Sequence, residues 1–285
     1  MKRLYYVIVP IVAYLVIRTT GLGIASTLLT IATVAFILSR LDRILGIFGN
    51  ISYINGKREK AMKLYKMGAE IPFATQYTQL TYAYLLVKSG ETELAEQCVK
   101  RIEKKGIKTH DKTHYYAITA LIAFRKGDLP LAIETLETAH QKSFRNSTTY
   151  SSLGYMYILT GDLEKALQVN LEAYDYNKSN KVILDNLGDT YYLLGDFKKA
   201  EEIFIDLLKG KPDFPEPYYH YASVLEKKGE IENALEQCKN ALLYEFTALS
   251  SINKTQVNEK IAALEGVLLT QPTLHASSLY EEEKA

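Results

Sequence analysis

Six times along this chain a glycine is followed five residues later by an alanine: Gly56/Ala61, Gly90/Ala95, Gly127/Ala132, Gly161/Ala166, Gly195/Ala200 and Gly229/Ala234. Successive glycines lie 34, 37, 34, 34 and 34 residues apart. The hexamers GDLEKA at 161–166 and GDFKKA at 195–200 are the clearest pair. Six hits in register exclude chance, and one helix or strand cannot span the interval. Internal periods of this size mark a solenoid of stacked supersecondary units. A three-residue insertion near KKGIKTHDK accounts for the single departure.

The pattern inside each period is helical. From Lys181 to Phe214 the apolar or small positions are Leu184, Leu187, Gly188, Tyr191, Ala200, Phe204 and Leu207, with Pro212 near the end. The block Pro215–Phe246 repeats this with Tyr218, Tyr221, Ala222, Leu225, Ala234, Cys238 and Ala241. The block Ser147–Asn180 does so with Tyr150, Leu153, Gly154, Tyr157, Ala166 and Ala173. Blocks from Thr113 and Gln76 follow, the latter more loosely. In the first unit only the second helix, GKREKAMKLYKMGAEIP, fits well; LDRILGIFGNISYI would be its first helix or, alternatively, a juxtamembrane amphipathic segment.

This succession of a large residue, Leu-Gly, Tyr, Ala, Phe, Ala and Pro resembles the tetratricopeptide repeat. The resemblance implies an all-α fold, an α-solenoid of about five to six helix pairs. Gly127, Gly161, Gly195 and Gly229 are then expected to end first helices in a left-handed conformation. Asp128, Asp162 and Asp196 would cap the helices that follow. Gly154, Gly188, Ala120 and Ala222 are expected where the partner helix backbone comes closest. Asn253 to Leu269 forms a further amphipathic stretch, suited to the solvating end-cap a solenoid requires.

Upstream of the repeats the apolar residues concentrate. Leu4–Ile17 and Leu22–Leu38 carry no charge, with RTTG between them. A cleaved leader explains only the first run. A transmembrane helical hairpin explains both, since about 17 residues span about 25 Å. Lys2 and Arg3 precede it, and Arg40, Arg43, Lys57, Arg58 and Lys60 follow it. This bias places both termini and the repeat domain in the cytoplasm, an integral two-pass arrangement. The expected domains are a transmembrane hairpin anchor over 1–40 and a juxtamembrane segment with a degenerate first repeat over 41–75. The solenoid occupies 76–248, a capping helix 249–270 and a flexible tail 271–285.

Catalytic chemistry finds no constellation. His110 and His114 in HDKTH have metal-ligand spacing, but no third ligand or general base accompanies them, so a solvated loop is expected. Cys98 and Cys238 stand far apart and are read as buried small hydrophobes. Phosphate loops and nucleophile elbows are missing. A net charge of +1 gives no footprint for nucleic acid. The chain is read as a non-enzyme, with no cofactor, metal or small-molecule substrate.

Binding has firmer geometry, because stacked pairs line a concave groove with their first helices. By the family resemblance, the groove-facing positions include Tyr77, Tyr84, Leu121, Phe124, Tyr155, Asp185, Asn186, Asp189, Tyr192, Glu216, Tyr219, His220 and Glu226. The set is aromatic in the middle and acidic toward the C-terminal end. It suits a protein partner or peptide segment carrying Lys or Arg. Repeat modules of this family that capture chaperone C-terminal carboxylates use Lys, Asn and Arg at fixed groove positions. Here Ser151, Tyr155, Asn186, Glu216 and His220 stand at matching positions, and Glu216 would repel a carboxylate. Two functions remain: a membrane-anchored adaptor or scaffold acting through the groove, and an assembly subunit acting through its hairpin and self-association.

Overall fold

The computed structural model describes residues 24–270, together with Ile11, Tyr14, Leu15 and Arg18. Among the described residues there are fourteen α-helices and no strand. They are α1 (Ile24–Ser39), α2 (Leu41–Ile54), α3 (Arg58–Ala69), α4 (Gln76–Lys88), α5 (Thr92–Glu103), α6 (Lys112–Arg125), α7 (Leu129–Gln141), α8 (Ser147–Thr160), α9 (Leu163–Tyr176), α10 (Lys181–Leu193), α11 (Phe197–Lys209), α12 (Glu216–Lys227), α13 (Ile231–Ala241) and α14 (Lys254–Thr270). The chain divides into two compact units, one up to Ile122 and one from Ala123 onward.

In the first unit LDRILGIFGNISYI does form a helix, α2, and it pairs with α3, so the first repeat has both members. Gly49 makes the pair possible: a Cβ there would lie 2.7 Å from the Tyr65 ring. Asp42 reaches from α2 to the start of α4. One of its oxygens, Oδ2, accepts from the Thr75 amide at 2.8 Å, the Thr75 hydroxyl at 2.8 Å and the Thr78 hydroxyl at 3.1 Å. Those bonds satisfy helix-start donors that no preceding turn can reach. The insertion after α5 is clamped by a single amide. Gln76 Nε2 donates to the Gly106 carbonyl at 2.7 Å, and Gln76 Oε1 accepts from the Lys108 amide at 2.9 Å.

In the second unit the repeat signature performs as expected. Gly161 takes φ 75° at the end of α8, and the Asp162 carboxylate accepts from the Lys165 amide at 3.2 Å to start α9. Asp128 and Asp196 cap α7 and α11 in the same way. Ala166, Ala200 and Ala234 are fully buried between paired helices. The close approaches at Gly154 and Gly188 differ from expectation, since the intruders are side chains rather than backbone. A Cβ on Gly154 would sit 1.9 Å from Asn170 Oδ1, and one on Gly188 2.8 Å from the Phe204 ring. Helix α14 closes the unit, with Val257 and Leu264 fully buried beside Ala222, Leu225 and Cys238.

The expected transmembrane hairpin is not supported. The run Leu4–Ile17 lies outside the described residues apart from Ile11, Tyr14 and Leu15. The second run folds as α1, whose 16 residues amount to about 24 Å of helix. Among the described residues no helix is long and apolar enough to cross a membrane. The run is cut short at Arg40, which leaves helical geometry with φ −111° and ψ 4°. The tail 271–285 lies outside the described residues.

Candidate interaction surface

Three first helices of the second unit, α8, α10 and α12, stand side by side, α10 touching both neighbours. Polar contacts between them, and from α12 on to the segment of α14, recur at 34 or 35 residues. Asn186 Nδ2 on α10 donates to the Ser151 carbonyl on α8 at 2.7 Å. Asp185 Oδ1 on α10 lies 3.0 Å from His220 Nδ1 on α12. Glu216 Oε1 on α12 accepts from the Ser251 amide, just before α14, at 3.1 Å. Lys260 Nζ on α14 reaches Glu226 Oε2 on α12 at 2.6 Å.

These bonds sort the expected groove residues. Asp185, Asn186 and Glu216 are buried, at 4%, 5% and 8% exposure, and are used between helices. Phe124, Tyr155, Asp189, Tyr192 and Tyr219 are half-buried and remain accessible. Phe124 and Tyr155 meet edge to face at 6.1 Å. In the first unit Tyr77 is exposed and edge-on to His114 at 5.0 Å, and Tyr84 is half-buried with its phenol pKa pushed up by burial. Leu121 belongs to the core of that unit.

The electrostatics of the second unit centre on His220. Burial alone would strip its proton, but Asp189, Asp185 and Glu216 surround it and push its pKa up to about 10. Burial also pushes the Asp185 carboxyl up against the pull of His220. The histidine answers to three carboxylates, so its upward direction dominates, and the pair is an imidazolium facing carboxylates. Burial, with the same three acids, pushes the Tyr155 phenol up to about 12. Tyr192 and Tyr219 are raised by burial while Lys260 opposes.

Lys260 is the residue that sequence reasoning missed. Its ammonium lies 5.3 Å over the Tyr219 ring and pairs with Glu226, so the last described helix neutralises part of the acidic end. It stands 34 residues beyond Glu226, one repeat on, and that interval was the signal. Among the described residues no three His, Cys, Asp or Glu side chains gather as a metal site. His114 starts a turn of α6 rather than a loop, against Tyr77. Both cysteines are buried, and burial pushes the Cys238 thiol up to about 11.

The tetratricopeptide repeat family model matches residues 73–245. No match is found among curated proteins. Several solved structures share the fold. A thermophilic tetratricopeptide repeat protein of Thermus thermophilus is 21% identical, with 67% of this chain and 98% of that one covered and a TM-score of 0.54. A tetratricopeptide repeat protein of Parabacteroides merdae is 13% identical over 91% of this chain and 98% of that one, with a TM-score of 0.58. The pilF protein of Pseudomonas aeruginosa is 17% identical over 73% and 97% of the two chains, at a TM-score of 0.50.

Proposed function

Because the chain belongs to the tetratricopeptide repeat family, we propose that it is a membrane-anchored adaptor that holds a basic protein segment against the inner helices of its second unit. Domains of this family are typically protein-interaction scaffolds rather than catalysts. The observation that carries the reading is the accessible set Tyr155, Asp189, Tyr192 and Tyr219, backed by buried carboxylates. Aromatic side chains with few rotamers give contact area at low entropic cost. Uncompensated acids behind them select Lys or Arg. Four carboxylates (Asp185, Asp189, Glu216 and Glu226) face two cations, His220 and Lys260.

The anchoring rests on α1. Leu28, Leu29, Phe36 and Ile37 are all exposed on it, and α1 carries no charge. Large apolar side chains exposed on an uncharged helix favour a lipid surface. Tethering would raise the partner's effective concentration at the bilayer.

The test is crosslinking and mass spectrometry on native membranes, comparing the natural chain with Tyr155→Ala and Asp189→Lys. A partner recovered with the natural chain and lost with both variants supports the groove. A partner retained by both variants rejects it. Release of the natural chain by carbonate wash would reject the anchor.

A further inference from the structure

Helix α2 is amphipathic in the wrong sense for a soluble helix. The side it presents to its own unit buries Asp42, Gly49 and Ser52. The side it presents outward carries Ile47, Phe48, Ile51 and Ile54, at 58%, 55%, 48% and 82% exposure. Ile47, Ile51 and Ile54 are spaced i, i+4 and i+7, and so form one continuous stripe. Leu45 also packs inward, beside Gly68, yet four large apolar side chains remain outward and call for a cover.

The charges say which cover. Between residues 24 and 58 the cations are Arg40, Arg43, Lys57 and Arg58, and the sole acid is Asp42, turned inward and held by Thr75 and Thr78. Arg40 and Arg43 are exposed at one end of the stripe and Lys57 beyond the other. An apolar stripe with Arg40 and Arg43 at one edge and Lys57, Arg58 and Lys60 against the single exposed acid Glu59 at the other matches the boundary between acyl chains and anionic headgroups. The stripe follows closely in sequence on α1, whose Leu28, Leu29, Phe36 and Ile37 are exposed as well. Only Arg40 separates the two helices, and its amide still donates to the Ile37 carbonyl at 3.0 Å.

We propose that α2 lies on an anionic bilayer with Ile47, Phe48, Ile51 and Ile54 among the upper acyl chains, so that the first repeat is itself a membrane-contacting element. This rests on the anchoring read from α1. Helix α2 then has two uses: its polar side starts α4 through Asp42, while its apolar side contacts lipid. The first unit would sit flush against the membrane instead of hanging from a flexible tether.

The chain contains no tryptophan, so a single introduced indole reports its own surroundings. Full-length Phe48→Trp, Ile54→Trp and Leu29→Trp proteins are reconstituted in vesicles of phosphatidylcholine with phosphatidylglycerol, some carrying brominated acyl chains. All three positions are exposed, and circular dichroism against the natural chain checks that each variant folds. The expected result is loss of emission by brominated lipid for all three, with the Phe48→Trp and Ile54→Trp signals more sensitive to shallow bromines. Quenching of Leu29→Trp alone overturns the α2 proposal and leaves the anchor standing. Quenching of none overturns both. If the Phe48→Trp indole is shielded from aqueous acrylamide yet untouched by brominated lipid, a protein surface or a second copy covers the stripe, and the proposal falls.

Discussion

Asp185 Oδ1 and His220 Nδ1 lie 3.0 Å apart across the contact of α10 with α12, although 35 residues separate them in sequence. Asp189 and Glu216 face the same imidazole. In the unfolded chain this histidine titrates near 6.5, and in the fold near 10. A raised histidine contributes stability that is complete below about pH 6.5 and fades as pH climbs toward 10. The raised Asp185 and Glu216 carboxyls also favour lower pH. Thermal unfolding followed by circular dichroism should therefore give a melting temperature that falls from pH 6.5 to pH 10. The fall should be shallower in His220→Gln; equal slopes would refute the assignment.

Gly154 and Asn170 give a packing test. Alanine is the better helix former by about 1 kcal/mol, so Gly154→Ala would stabilise an open site. Here its Cβ would lie 1.9 Å from Asn170 Oδ1, and Asn170 is fully buried and donates through Nδ2 to Thr190 Oγ1 at 3.0 Å. Overpacking should dominate and cost about 1–3 kcal/mol. The double change Gly154→Ala with Asn170→Ala should cost less than the sum of the two single changes. Denaturant titration of the four proteins measures that difference.

Asp42 offers an acid-side test. Burial would raise its carboxyl, but the Thr75 amide and hydroxyl and the Thr78 hydroxyl outweigh that and lower it. A lowered carboxylate contributes stability that is present above about pH 4 and lost as pH falls through the folded value. Asp42→Ala should destabilise the first unit by about 1–3 kcal/mol, the cost of stranding buried donors. Hydrogen exchange should quicken at the Thr75 amide, which Asp42 caps directly. Unchanged protection there would show that water serves equally well.

For binding, Asp189→Asn should weaken a basic partner by about fivefold, the scale of about 1 kcal/mol for one half-exposed charge. Added salt should shrink that difference. Tyr155→Ala should cost more and be insensitive to salt, because it removes contact area. Surface plasmon resonance at two ionic strengths separates the two behaviours.

The helices and their pairing were legible because Gly-Asp and the buried alanines recur in register, each with a single local job. Burial of Asp185, Asn186 and Glu216 was less so. The family's groove positions mark which way a residue faces, not whether the neighbouring first helix already uses it. That information lay in the interval: Ser151 to Asn186, Asp185 to His220 and Glu216 to Ser251 are each 35 residues. Helix α2 was legible only in part. Its apolar periodicity suited either the first helix of a degenerate repeat or a juxtamembrane amphipathic segment, and only Gly49 beneath Tyr65 shows that it pairs with α3 through its small side.

The same interval has a consequence for order. Tyr53 accepts from Lys88, the Ser151 carbonyl from Asn186, and Glu216 from a backbone amide, while Asp185 faces an imidazolium. Each junction joins different chemical partners. If the segment from α8 to α9 were excised, Ser151 and Asn186 would no longer meet; if α10 and α12 were exchanged, Asp185 would lose its histidine. Repeats that share one backbone plan thus carry unlike locks at their seams. An illegitimate stacking, whether by recombination or by domain exchange between two chains, would leave a buried charge or amide facing the wrong group.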